Sequence, residues 1–264
     1  AMPGLRAVAR HESAIVTLQD RTLDRYAFDA EGRLQWLQTI DLARSGRDVA
    51  TTWDAALVAD GEGVSIYRID DGSSLSTVET CGQARRVFVD WPLAYVVGLR
   101  SILVLDVTDP AAPVTVQTVE IVPGRHGTGT TAGCSRSWID AGLDRLCDAL
   151  GACGAFGRMA AAYDDRRLFL NVLGSLEVID FRDGGAPVLA GSVPVGFVKD
   201  MVAERGFVYG NGVGRRSAIV AELPDGSWVA AGGHDVPAWV DGVVDVAPWS
   251  VRWERNRLEI ARKQ

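Results

Sequence analysis

Short apolar stretches alternate with turn residues along most of the chain, and one of them returns at a nearly constant spacing. It begins at positions 23, 64, 102, 176, 218 and 258, and most copies end in Asp or Glu. The steps between these positions are 41, 38, 74, 42 and 40 residues. Because the segments are short, rich in branched and aromatic residues and bounded by Gly, Asp or Asn, they predict β-strands.

Two of the copies agree over a longer stretch, residues 93–113 and 167–187. Ser101, Asp106, Asp109 and Pro113 of the first copy match Ser175, Asp180, Asp183 and Pro187 of the second. Apolar residues fill the positions between them. A repeat of this length that is made of strands and turns predicts the architecture before any single residue is interpreted.

Each copy carries three further strand-like segments, two before the shared one and one after it. Four short antiparallel strands in about 40 residues are typical of a β-propeller blade. The prediction is an all-β chain that forms a single six-bladed β-propeller domain over 1–264, with units at 6–44, 45–83, 84–124, 158–197, 198–236 and 237–264. The last blade has three strands unless the chain continues past Gln264. An open β-sandwich array is the alternative, although sandwiches rarely keep so even a period.

The sequence pattern of residues 86–96 and 101–113 resembles the LVIVD repeat of bacterial and archaeal surface or secreted proteins. The match is specific in the third and fourth units, loose in the second and fifth, and vestigial in the first and sixth. The resemblance implies a propeller and an extracytoplasmic location, either periplasmic, at the cell surface or secreted. It implies no shared catalytic residues.

The long step of 74 residues contains an insertion at 125–157, between units three and four. Its second half places Ile139, Leu143, Leu146 and Leu150 at helical spacing, which predicts a short helix that covers one face of the propeller. The four cysteines, Cys81, Cys134, Cys147 and Cys153, all fall in connections that leave the same face of a propeller. Two disulfides are the favoured interpretation. A zinc site with four thiolate ligands and free buried thiols are the alternatives, and the close Cys pairs of a zinc site are absent.

The net charge of −7 and the isoelectric point near 5.0 argue against a nucleic-acid partner, which requires a dense field of Lys and Arg. No apolar run reaches the roughly 20 residues that a transmembrane helix needs. Ala1 ahead of Met2 resembles the remnant of a cleaved tag, so the sequence does not establish where the natural chain starts.

Charged residues open the innermost strand of most units, at the mouth of the expected central channel. The candidate ligand-binding set is Arg47, Arg86, Arg158, Lys199, Asp48 and Asp200, flanked by Arg6, Arg85 and Asp245. Converging cations could hold an anion. The competing interpretation, that they form ion pairs between neighbouring blades, is the stronger one for a repeat protein.

Trp53, Trp91 and Trp249 close three inner strands at matching positions. They could line a surface that binds carbohydrate or aromatic groups, but packing between blades is the more common role of such residues. The Asp residues that end the shared strand do not have the spacing of a calcium loop and suit ordinary turns.

No catalytic or cofactor motif stands out, so the sequence predicts no catalytic residue, metal or cofactor. The short matches at His126 and at His234–Asp235 lack the context that either chemistry requires. The predicted function is a non-catalytic binding or scaffold module that contacts a protein or surface ligand through the face bearing 125–157. The alternative is an enzyme or small-anion-binding protein that uses the basic channel mouth.

The disulfide interpretation predicts that the native protein offers no thiol to an alkylating reagent. Mass spectrometry under non-reducing conditions should show no alkylated cysteine, and four after reduction in denaturant. Four alkylated cysteines in the unreduced, denatured protein would contradict the interpretation.

Overall fold

The computed structural model describes residues 4–80, 84–98, 101–120, 160–172, 174–184, 186–196, 198–212, 217–232, 242–246, 249–254 and 257–262. Within these residues the chain is all-β. The strands form five four-stranded antiparallel sheets and one three-stranded sheet. The predicted insertion helix and all four cysteines lie outside the described residues, so both predictions stay untested.

Each sheet is built from strands that follow one another along the chain, as the repeat predicts. The first three sheets contain β1 (Leu5–His11), β2 (Ala14–Gln19), β3 (Thr22–Phe28) and β4 (Leu34–Asp41); β5 (Asp48–Thr51), β6 (Ala55–Ala59), β7 (Gly63–Arg68) and β8 (Ser74–Glu79); and β9 (Ala84–Asp90), β10 (Leu93–Gly98), β11 (Ser101–Asp106) and β12 (Val114–Glu120). The other three contain β13 (Ala161–Asp164), β14 (Arg167–Val172), β15 (Ser175–Asp180) and β16 (Val188–Pro194); β17 (Val198–Glu204), β18 (Phe207–Gly212), β19 (Ser217–Glu222) and β20 (Trp228–Gly232); and β21 (Gly242–Val246), β22 (Trp249–Glu254) and β23 (Arg257–Arg262).

An Asp at or shortly after the third strand shapes the turn into the fourth strand in each four-stranded sheet. Its carboxylate accepts the backbone N–H two residues further on, which closes an Asx turn. The pairs are Asp29 with Glu31, Asp71 with Ser73, Asp106 with Thr108, Asp180 with Arg182 and Asp225 with Ser227. Asp29, Asp106 and Asp180 are the recurrent acidic residue of the repeat, whereas Asp71 and Asp225 make the turn in place of the recurrent Asp70 and Glu222.

Burial falls from the second strand of a sheet to the fourth. β6 is buried along its whole length, and so is β14, whereas β4 and β16 are mostly exposed. A strand is buried on both faces only when its sheet packs against neighbours on each side. Within each compact unit, neighbouring sheets therefore pack face to face.

The first compact unit comprises residues 1–118 and 240–264. In it β21 lies beside β1, β1 beside β5, and β5 beside β9. One apolar cluster joins the first two sheets through Leu18, Leu23 and Val58. A second apolar cluster joins the second and third sheets through Leu57 and Leu105.

The second unit comprises residues 119–239 and holds the sheets β13–β16 and β17–β20. Trp228 packs edge-on against Phe169 with ring centroids 5.2 Å apart. A Cβ at Gly191 would come within 2.9 Å of the indole Cδ1, so the glycine leaves room for the ring. Arg167 is buried beside both rings and donates to Glu222 Oε2 at 2.6 Å.

Gly63 allows the closest approach of two strands within a sheet. A Cβ at this position would overlap the carbonyl oxygen of Val78 and lie 2.9 Å from the Cα of Glu79. We expect Gly63→Ala to lower the free energy of unfolding by about 1–3 kcal/mol, because β7 and β8 must move apart. Chemical denaturation measures this change. Ser74→Ala, on exposed β8, is the control and should lie within about 0.5 kcal/mol of wild type; equal stability of the two variants would contradict the prediction.

Candidate functional site

Asp48 joins the second sheet to the third. Its side chain is buried at the start of β5, where Oδ2 accepts the backbone N–H of Val87 at 3.0 Å. Oδ1 lies 3.6 Å from Nη1 of Arg86 on the neighbouring inner strand. Both carboxylate oxygens of Asp48 are therefore used between the sheets.

The environment of Asp48 opposes its ionisation. Burial raises the pKa of the Asp48 carboxyl above its ordinary value, and the positive charge of Arg86 and the N–H of Val87 offset only part of that effect. The ion pair thus carries an unrecovered desolvation cost, as buried pairs often do. Its geometry gives the two inner strands a defined register.

Arg6 makes a similar joint between the first two sheets. It donates to Asp20 Oδ1 at 2.6 Å, to the Gly46 carbonyl at 2.6 Å and to Ser45 Oγ at 2.9 Å. Arg47 lies across the turn between β6 and β7, since a Cβ at Gly61 would be 2.9 Å from its Nε. These guanidinium groups brace connections within the first unit.

The other charged candidates are more scattered. Arg85 is half-buried, and its Nε is buried without a hydrogen-bond partner among the described residues. Asp200 is half-buried in β17, paired in register with Asn211. Lys199 lies on the same strand, and Asp245 pairs with Ser250 between β21 and β22. The side chains of Lys199 and Asp245 lie outside the described residues, as does the whole of Arg158. Of the six candidates, the described contacts bring together Asp48 and Arg86.

Trp53 and Trp91 are both exposed, which argues against packing between sheets as their main role. Trp53 is 64% exposed and Trp91 is 46% exposed. They lie in the turns that follow β5 and β9, at the end of each sheet opposite to Asp48 and Arg86. The side chain of Trp249 lies outside the described residues. The period showed that these positions are equivalent, but it held no information on which way a turn residue projects.

The backbone of the Trp53 turn is held in place from the neighbouring sheet. Nε2 of the buried His11 lies 3.0 Å from the Trp53 carbonyl oxygen. Thr51 Oγ1 donates to the carbonyl of Arg10. Thr52 Oγ1 accepts the N–H of Ala55 at 3.0 Å. An exposed indole therefore rests on a fixed turn.

Other apolar side chains are exposed on the fourth strands and on the fifth sheet. The former are Trp36 and Leu37 of β4, Val114 and Val116 of β12, and Val188 and Leu189 of β16. On the fifth sheet Phe207 and Tyr209 stack with centroids 6.2 Å apart, next to Val202.

Within the part of the chain that the structure describes, no group of three His, Cys, Asp or Glu side chains is placed to hold a metal ion. The same residues include no helix of the length and hydropathy that crossing a membrane requires.

Solved structures share this fold at low sequence identity. A functionally unknown protein from Desulfotomaculum acetoxidans aligns with 96% of this chain and 86% of its own, at 10% identity and a TM-score of 0.64. The β-propeller domain of Cps50 (Swd1) from Myceliophteria thermophila aligns with 100% of this chain and 84% of its own, at 12% identity and a TM-score of 0.58. BamB from Moraxella catarrhalis aligns with 98% and 74%, at 14% identity and a TM-score of 0.54.

These similarities support a propeller fold. No family model matches the chain. No curated protein matches its sequence either. The resemblance to the LVIVD repeat therefore stays a prediction.

Ionisation of Asp48 should destabilise the folded protein. Because burial raises its pKa, the folded state holds the proton more tightly, and the stability that protonation brings is lost as the pH rises above 3.8 through the raised value. Asp48→Asn cannot ionise, so the free energy of unfolding of wild type should fall relative to this variant over that pH range. Urea denaturation at successive pH values measures the difference.

Asp29→Asn is the matched control with the opposite sign. The backbone N–H of Arg33 and its side chain hold the pKa of Asp29 at about 2. The stability that this carboxylate contributes is present above its unfolded value of 3.8 and lost as the pH falls towards about 2. The free energy of unfolding of wild type should therefore increase relative to that of Asp29→Asn as the pH rises. The same sign for both variants would contradict the assignment.

Proposed function

We propose that this chain is a six-bladed β-propeller that acts as a non-catalytic binding or scaffold module. Its recognition surface is the face bearing residues 125–157, and its partner is a protein or a surface ligand outside the cytoplasm. The described sheets, and the similarity of the chain to solved β-propeller structures, support the fold. The extracytoplasmic setting rests on the LVIVD resemblance and on the even number of cysteines.

The observation that carries the proposal is that charged residues of the inner strands contact other parts of the protein. Asp48 and Arg86 contact one another across neighbouring sheets, and Arg6 is bound to Asp20 and to the Gly46 carbonyl. Side chains that join sheets are part of the scaffold. This favours a structural role for the inner-strand charges over an anion clamp.

The topology of the third sheet supports the choice of face. β12 is antiparallel to its neighbours and ends at Glu120, at the same end of the sheet as the start of β9. The segment that follows therefore leaves from the end that carries Arg86. Insertions on a rigid scaffold are the usual carriers of binding function.

A small-anion-binding protein or enzyme is the second candidate, with Arg47, Arg86, Arg158 and Lys199 as the clamp. The unpartnered Nε of the neighbouring Arg85 favours it. Phosphate and citrate at about 10 mM should raise the unfolding temperature if a site exists, because a ligand that binds the folded state stabilises it. No change would favour the scaffold function.

Replacement of residues 125–157 by a Gly-Ser linker should abolish partner binding and leave the scaffold folded. The measurement is chemical crosslinking of the full chain in its native cells, with mass spectrometry of the products. Thermal unfolding reports the fold. Asp48→Asn, which alters the inner strands and leaves the insertion intact, is the control. A linker variant that unfolds at the wild-type temperature and keeps the wild-type crosslinks would contradict the proposal.

A further inference from the structure

The turns after the inner strands differ among the four-stranded sheets. Three are polar: Glu12–Ser13, Asp165–Arg166 and Arg205–Gly206. The other two present Trp53 and Trp91. The fold does not demand a large aromatic residue at this position, and small or polar residues are the usual choice for a tight turn. Both indoles therefore need an explanation other than stability.

The two tryptophans lie on neighbouring sheets of the first unit. Asp48, the first residue of β5, contacts Val87 in the middle of β9, so the two strands lie side by side, and Trp53 and Trp91 follow their ends. β5 and β9 approach to within 8 Å between Cα atoms, and the two turns continue from these strands. Side chains on one face of an extended peptide recur at every second residue, about 6.6 Å apart, which suits this separation.

Carboxylates accompany the indoles. Asp54 follows Trp53, Asp90 precedes Trp91, and Glu12 lies at the adjoining turn of the first sheet. Arg10 is close by, and its Nε donates to the Glu12 carbonyl. We call Glu12, Trp53, Asp54, Asp90 and Trp91 the tryptophan surface.

The third strand of the second sheet ends beside the Trp53 turn, because the Ile69 N–H donates to the Asp54 carbonyl at 2.9 Å. Asp70 and Asp71, which follow it, are ion-paired with Arg25 at 3.5 Å and with Arg68 at 3.4 Å. The carboxylates beside the indoles that a ligand would meet are therefore those of Glu12, Asp54 and Asp90.

We propose that the tryptophan surface binds a cationic polypeptide segment, in extended conformation, with Lys or Arg side chains two residues apart. Exposed indole faces attract ammonium and guanidinium groups through the ring quadrupole, and neighbouring carboxylates add charge attraction. Tryptophan is also enriched among the residues that dominate protein interfaces. A neutral glycan could stack on the indoles, but it would gain nothing from the surrounding carboxylates.

The surface is independent of the proposed role of residues 125–157. Trp91 lies at the end of the third sheet opposite to Glu120, from which the insertion departs. The linker variant should therefore keep the tryptophan surface intact, and failure of either proposal can be distinguished from failure of the other.

The test is isothermal titration calorimetry of the full chain with three probes. They are a peptide with Lys at every second position, the same peptide with Glu in place of Lys, and cellohexaose. The Lys peptide should bind with a Kd on the order of 0.1 mM, and binding should weaken at least five-fold between about 50 and about 500 mM NaCl. The Glu peptide and cellohexaose should not bind.

Three variants assign the binding to the surface. Trp53→Ala and Trp91→Ala should each weaken binding of the Lys peptide roughly three- to ten-fold. Trp36→Ala, which removes an indole 61% exposed on β4, should leave it unchanged. Circular dichroism and thermal unfolding confirm that each variant is folded, as expected for exposed side chains.

Several results would overturn the proposal. They are no binding of the Lys peptide at about 1 mM, equal binding of the Glu peptide, binding of cellohexaose in place of the Lys peptide, or an equal effect of Trp36→Ala. If either turn variant fails to fold, the wild-type probe comparison and its salt dependence still decide the matter.

Discussion

The fold depends on face-to-face burial of short strands. A strand of five or six apolar residues such as β6 or β14 cannot cover both of its faces within one sheet, so each sheet is stable only against neighbours. The polar groups of the backbone are satisfied inside each sheet by antiparallel pairing, which leaves the side chains to join sheet to sheet. The polar turns and exposed fourth strands follow from this arrangement, because they lie outside the stack.

The repeat made most of the fold predictable. Strand periodicity and turn residues identify the four-stranded sheets, and the Asp residues near the ends of their third strands make the turns that the sequence predicts. Pairing between neighbouring inner strands was the stronger of two interpretations for the charged residues, and the contact of Asp48 with Arg86 agrees with it. These features are predictable because they depend on residues close in sequence or at equivalent positions.

Features that depend on three-dimensional direction were not predictable. Trp53 and Trp91 occupy matching positions, but equivalence does not reveal that their indoles face solvent. Arg167 opens a strand, where a charged residue is expected to be exposed, and yet it is buried beside Phe169 and Trp228. The space that Gly191 leaves for Trp228 arises from a neighbouring sheet and has no local pattern. In each case the position of a side chain in one sheet depends on the shape of the neighbouring sheet.

The buried pair of Arg167 and Glu222 also bears on how similar repeats find their proper neighbours. Sheets with closely related sequences can associate in the wrong order during folding, a known hazard of repeat proteins. A wrong neighbour would remove the Glu222 carboxylate at 2.6 Å and leave the buried Arg167 with Asp165 at 3.9 Å, which is unfavourable for a buried guanidinium. The contact of Asp48 with Arg86 is chemically different, so the two interfaces are not interchangeable. Charged contacts that add little net stability can thus favour the correct order of sheets that share one repeat.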